Sequence, residues 1–188
     1  MKNLVRCKSC GYIMAEERLG DTCPACGVPR EMFEPYSDPV GESRRRILNM
    51  HLHPIAVHFP TSFAASVLVL LIAAFFLRGG RADYVSCTIK LMTLFLPLLV
   101  LAALLVGLID GTARFRRIGR SAILKTKALS GVLFFVFAVG LAVLVWTRGL
   151  SGVGARWTAL VLDAGAVACS AVLGILGYRL RDTALPGK

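Results

Sequence analysis

No serine nucleophile elbow, no phosphate-binding glycine loop and no pair of carboxylates at catalytic spacing occurs in the 188 residues, so hydrolase and kinase chemistry have nothing to stand on. Acidic residues are also scarce: 11 Asp and Glu face 22 Lys and Arg, a formal charge of +11. That excess does not point to nucleic acid. Residues 1–40 hold five basic and six acidic side chains, and the surplus lies in the apolar remainder, where it is a topology and lipid-headgroup signal. The first fifty residues contain no long apolar run. The expectation is therefore an N-terminal module without a secretory leader, made and kept in the cytosol, where thiols stay reduced. Histidine is rarer still: there are three, all between residues 51 and 58.

Against these absences stand four cysteines, Cys7-Lys8-Ser9-Cys10 and Cys23-Pro24-Ala25-Cys26, with twelve residues between the pairs. A C-x2-C pair lets a tight knuckle aim two sulfurs at one ion, and two pairs complete the tetrahedral thiolate set that zinc or iron accepts. Gly11 and Gly27 follow the second cysteine of each pair, where positive φ turns backbone N–H groups toward sulfur. A disulfide framework is the competing reading of four cysteines in a short module, and a reducing compartment argues against it. Tyr12, Phe33 and Tyr36 are expected to pack over the metal loops as a minimal core.

The run from Cys7 through Gly11-Tyr12, then Cys23-Pro24-Ala25-Cys26-Gly27-Val28-Pro29-Arg30-Glu31-Met32-Phe33-Glu34, resembles the rubredoxin-like domain that ends rubrerythrins, over residues 4–36. The resemblance implies a small β-type ribbon in which Cys7, Cys10, Cys23 and Cys26 hold one iron that cycles between ferric and ferrous; zinc is the alternative metal.

From about Phe59 the composition turns apolar, and four spans are expected at about 60–77, 85–109, 122–146 and 157–178. Each reaches the roughly 18 to 25 residues that cross a hydrocarbon core of about 30 Å. A buried soluble core fails as an explanation, because four such stretches leave no amphipathic surface for water. The fold class is thus a metal ribbon followed by an all-α four-helix transmembrane bundle. Its parts are a ribbon at 1–36, a linker at 37–50, a membrane domain at 51–180 and a tail at 181–188.

Twelve basic residues near the span ends fall on one side: Arg44, Arg45 and Arg46, then Arg114, Arg116, Arg117, Arg120, Lys125 and Lys127, then Arg179, Arg181 and Lys188. Five fall on the other: Arg78, Arg81, Lys90, Arg148 and Arg156. The positive-inside rule puts both termini in the cytoplasm of a bacterial inner membrane protein. The linker proper, Ser37 to Arg46, reaches at most about 33 Å at roughly 3.3 Å per residue, which ties the metal to the inner face and raises its local concentration there.

The histidines lie in His51-Leu52-His53-Pro54-Ile55-Ala56-Val57-His58-Phe59-Pro60, at the cytoplasmic mouth of the first span. Pro60 suits a first helical position, and Pro54 holds His53 out of the helical region, so residues 54–59 are expected along the interface. This segment and the span pattern resemble a family of bacterial four-helix membrane proteins of uncharacterised function, marked by a His-Pro and Val-His-Phe-Pro signature, over residues 51–178. A haem b held by His51, His53 or His58 lacks a second histidine in spans two to four; Met92 as second ligand would lie roughly 15 to 20 Å from His58 by helical rise. A haem shared between two copies, or held by a single protein ligand, stays open. A quinone site fits better: His58, Asp110 and Lys125 are expected at one depth, where charge is costly, to bind a carbonyl and pass protons. The competing reading pairs Asp110 with Arg114 or Lys125 and lets the lysines snorkel.

Other positions read as packing. Pro97 should kink span two, Gly165, Gly174 and Gly177 give span four a close-contact face, and Cys87 and Cys169 are small fillers. Asp163 is expected to meet Lys90 as a buried pair. The whole reads as a membrane-tethered one-electron carrier rather than a stand-alone enzyme, taking electrons from a cytosolic donor and passing them to a quinone, a haem or a partner subunit. A non-redox membrane protein whose zinc ribbon serves assembly or regulation is the alternative.

Overall fold

The computed structural model describes residues 3–37, 50, 52–114 and 122–182, and the chain divides into two compact units. His51 and most of the linker lie outside the described residues.

The first unit is a three-stranded antiparallel ribbon in the order β2-β1-β3, with β1 at Leu4–Cys7, β2 at Ile13–Ala15 and β3 at Phe33–Tyr36. Period-two alternation along β1 buries Val5 and Cys7 and exposes Arg6. Arg6 uses that exposure to pair with Glu34 and to lie over the Tyr36 ring. Pro35 sits on an outer strand, where its missing N–H costs no ladder bond. The core is not aromatic. Val5, Leu19, Cys7 and Cys23 are buried, whereas Tyr12 is 43% exposed and Phe33 and Tyr36 are half-buried. In a unit this small the sulfurs themselves occupy the centre, which leaves the rings at its edge.

The second unit, residues 46–176, holds three long apolar helices and most of a fourth: α1 at Leu52–Ala73, α2 at Gly80–Arg114, α3 at Ala122–Arg148 and α4 at Val153–Asp182. All four are long and apolar enough to cross a membrane. Their buried positions recur at alternating steps of four and three: Pro60, Ala64, Val67, Leu71 and Ala74 from the α1 segment; Ile89, Thr93, Leu96, Val100 and Ala103 from α2; Phe134, Ala138, Leu141 and Val145 from α3; Ala159, Asp163 and Ala166 from α4. That is the seam spacing of left-handed bundles with crossing angles of about 20°. The flanks are equally apolar, with Val69, Leu98, Leu108, Leu129, Val136 and Val161 all more than half exposed, as a lipid-facing surface requires.

Antiparallel neighbours are held in register by close contacts. A methyl group on Gly107 would lie 2.8 Å from the His53 ring, one on Gly131 2.6 Å from Leu104, and one on Gly165 2.9 Å from the Phe137 ring. At one end of the bundle Gly79 and Gly149 take φ of 59° and 66°, the left-handed conformation that closes helices before short connections. Arg156 ties that end together, donating from Nε to the Leu150 carbonyl at 2.7 Å and from Nη1 to the Ala74 carbonyl at 2.8 Å. Phe76, Tyr84, Trp146 and Trp157 are exposed around it, a placement consistent with the aromatic belts of membrane-spanning helices.

The first helix starts earlier than the sequence suggests. Leu52 opens it, Pro54 falls in the first turn, where no N–H is needed, and Pro60 lies inside. Residues 54–59 are therefore helical rather than laid along an interface. Pro60 is buried on the seam, and Thr61 Oγ1 donates to the Val57 carbonyl at 2.8 Å in the same turn; packing offsets the bond that Pro60 cannot make to Ala56. Pro97 is likewise inside α2.

Candidate metal centre

The two cysteine pairs fold into the same local structure twice. In the first knuckle Cys7 N–H donates to the Tyr12 carbonyl at 2.8 Å and Gly11 N–H to the Cys7 carbonyl at 2.9 Å; in the second, Cys23 N–H donates to Val28 at 2.7 Å and Gly27 N–H to Cys23 at 2.8 Å. Gly11 and Gly27 hold φ of 73° and 76°, the left-handed turn that their place in the sequence predicts. An L side chain there would be strained by roughly 1–2 kcal/mol. The repeat extends outward: Arg6 pairs with Ile13 beside one knuckle, and Thr22 bridges to Pro29 beside the other. Lys8 N–H on the Met32 carbonyl at 2.8 Å ties the first knuckle to the turn that leads into β3, and Arg30 Nη1 on the Leu19 carbonyl at 3.1 Å ties that turn to the segment before the second knuckle.

This arrangement brings all four sulfurs within 4.8 Å of one another. Cys7 Sγ lies 3.8 Å from Cys26 Sγ, and Cys10 Sγ 3.8 Å from Cys23 Sγ. A metal bonded to four thiolates at about 2.3 Å sets its sulfurs about 3.8 Å apart, so the donor set fits a tetrahedral ion in size and in chemistry. Burial is graded across it. Cys7 and Cys23, the first cysteine of each pair, are buried, Cys10 is half-buried and Cys26 is exposed.

The electrostatics pull two of the four thiols in opposite directions. Burial works against ionisation of Cys23, but the backbone N–H groups of Ala25 and Cys26 directed at its sulfur outweigh that, and the thiol is lowered to about 7. For Cys10 the Tyr12 N–H pulls the same way, yet burial and the three neighbouring thiols prevail and push it up to about 12. Four sulfurs at this range cannot all ionise without a cation among them.

The membrane residues are only partly brought together. His53 is half-buried in α1 against Gly107, one turn before the half-buried Asp110 of α2. Lys125 is exposed in the first turn of α3, and the contact of Leu104 with Gly131 sets it roughly level with Asp110. His58 is not at that depth. His58 lies about 7.5 Å beyond His53 along α1, on an exposed face. The expected Lys90–Asp163 pair is absent too: Lys90 Nζ lies 4.7 Å from the Trp146 ring centroid, and neither oxygen of the buried Asp163 has a hydrogen-bond partner. Cys87 is exposed on the flank of α2, and Cys169 is half-buried.

Residues 6–34 match the family model of the rubrerythrin rubredoxin-like domain, a stretch that contains all four cysteines. No curated protein and no solved structure matches the chain.

Proposed function

We propose that this protein is a membrane-anchored, rubredoxin-type one-electron carrier. The observation that carries the reading is the four-sulfur cluster within 4.8 Å, inside a ribbon that matches the rubrerythrin rubredoxin-like family and precedes four helices fit to cross a membrane. Cys7, Cys10, Cys23 and Cys26 would hold one iron, which supplies a ferric/ferrous couple when bound. The chain's own residues prepare that site. Backbone N–H groups at Tyr12, Ala25 and Cys26 stabilise negative charge on sulfur, while Cys7 and Cys23 keep one side away from water. Cys26 and Cys10 open the other side to the surface, beside the exposed Tyr12 and Met32, an edge suited to brief docking of a redox partner.

The donor in this reading is a cytosolic protein. The acceptor is a quinone, a haem or a partner subunit at the inner face of a bacterial cytoplasmic membrane, with both termini on that side, as the uneven distribution of Arg and Lys supports. His53, Asp110 and Lys125 lie near one level of the bundle there, and they are the residues to which an acceptor would bind.

Metal analysis and the visible spectrum of the full chain in detergent test the reading. One iron per chain and a thiolate-to-ferric absorption that bleaches on reduction are expected. A colourless preparation with one zinc per chain overturns electron transfer and leaves the ribbon as an assembly or regulatory module.

A further inference from the structure

Asp163 is fully buried in α4, and both of its carboxylate oxygens lack a hydrogen-bond partner. It occupies the seam position between Ala159 and Ala166, each itself fully buried. Leu162 lies against Gly140, and Phe137 against Gly165, so Asp163 is level with the middle of α3. Along α4 it is about 9 Å inward of the exposed Trp157, inside a hydrocarbon core of about 30 Å.

Arg78, Arg81 and Arg148 on this half of the bundle are exposed near the helix ends, and the two basic side chains closer to Asp163 are committed elsewhere. Lys90 of α2 is exposed and rests over Trp146. Arg156, two turns away on the α4 seam, donates to the carbonyls of Leu150 and Ala74. The buried seam positions at this level are Ala64 of α1, Thr93 and Leu96 of α2, and Ala138 and Leu141 of α3; none of these side chains carries charge. Thr93 gives its hydroxyl to the Lys90 carbonyl at 3.0 Å. Its own carbonyl has lost the usual helical donor, because residue 97 is proline.

We propose that Asp163 is a proton-binding site in the membrane interior, its carboxyl held as the neutral acid and giving the bundle one exchangeable proton. An ionised carboxylate here would be stripped of water with no cation and no donor in exchange. The acid form removes the charge and adds an O–H donor at a level where the Thr93 carbonyl has no helical partner. A metal cation is the poorer occupant, since it needs several oxygens and this level offers few. Packing alone does not account for the residue either, since its neighbours on the seam are alanines. The site does not depend on which metal the ribbon takes.

Infrared absorption of the full chain in lipid vesicles at neutral pH decides the matter, because exposed, ionised Asp and Glu do not absorb in the protonated-carboxyl C=O region. The expected result is one such band that moves to lower frequency after equilibration in D2O and disappears in Asp163→Asn, whose amide keeps the size of the side chain. Asp163→Glu should keep a band at a shifted position, and circular dichroism should show unchanged helix in both variants. No band in the natural protein, an undiminished band in Asp163→Asn, or loss of the band when sodium is added at fixed pH each overturns the proposal.

Discussion

Replacing Gly27 by alanine isolates the backbone demand of the metal knuckle from every other effect. Nothing lies within 4 Å of where the new Cβ would stand, and φ is +76°. The substitution therefore creates no clash, and its cost is the conformational penalty alone, about 1–2 kcal/mol. The ribbon has few other resources, with Val5, Leu19, Cys7 and Cys23 as its buried residues, so folding and metal binding are one equilibrium. At 1.4 kcal/mol per factor of ten, the apparent metal affinity should fall about 5- to 30-fold. Gly20 supplies the matched control: it too has open space around it, and its φ is not positive, so Gly20→Ala should change affinity less than about twofold. Competition against a chromophoric chelator, on the full chain in detergent, measures both. Equal losses in the two variants, or no loss in Gly27→Ala, would refute the argument that the left-handed turn holds the sulfurs in place.

Three further outcomes are expected. Cys10→Ser or Cys23→Ser should abolish stoichiometric metal binding by metal analysis while leaving helical circular dichroism unchanged, because the cysteines and the buried helical seam lie in separate units. Arg156→Ala removes charge-assisted bonds to two carbonyls and should lower bundle stability by about 2 kcal/mol in titrations with denaturing detergent; Arg156→Lys, which cannot span both acceptors, should lose about half as much. Gly107→Ala forces a methyl group to within 2.8 Å of the His53 ring and should cost about 1–3 kcal/mol, a penalty that vanishes in a His53→Ala background if the two side chains meet as described.

The metal ribbon is legible in the sequence because its demands are local. A sulfur pair two residues apart followed by glycine specifies a turn, and the structure returns φ above +70° at both glycines. The aromatic residues were less legible. Tyr12 reads as core by type, yet it emerges on the surface, since it stands between the Gly11 turn and the start of β2 while Cys7 and Cys23 occupy the centre. The helices are visible from composition, while their ends are not. Pro60 has the look of a helix start, but the apolar residues from Leu52 onward extend α1 by two turns, and seam packing retains the proline inside. That shift carries His58 away from the level of Asp110 and brings His53 there instead.

Asp163 shows where counting charges along a membrane span stops being informative. Lys90 and Asp163 come from the same side with opposite signs, which argues for a pair. Direction around the helix decides otherwise. The buried seam of α2 passes through Ile89, Thr93 and Leu96, which leaves Lys90 on the flank, where its long stem carries the ammonium to Trp146. The seam of α4 passes through Ala159, Asp163 and Ala166, so the short carboxylate side chain is fixed at the centre and cannot follow. Sign and span position suggest one layer; in the bundle the helix register sets Asp163 level with Leu96, about 9 Å beyond Lys90, and the four-and-three spacing turns Lys90 to the flank, so the two do not meet.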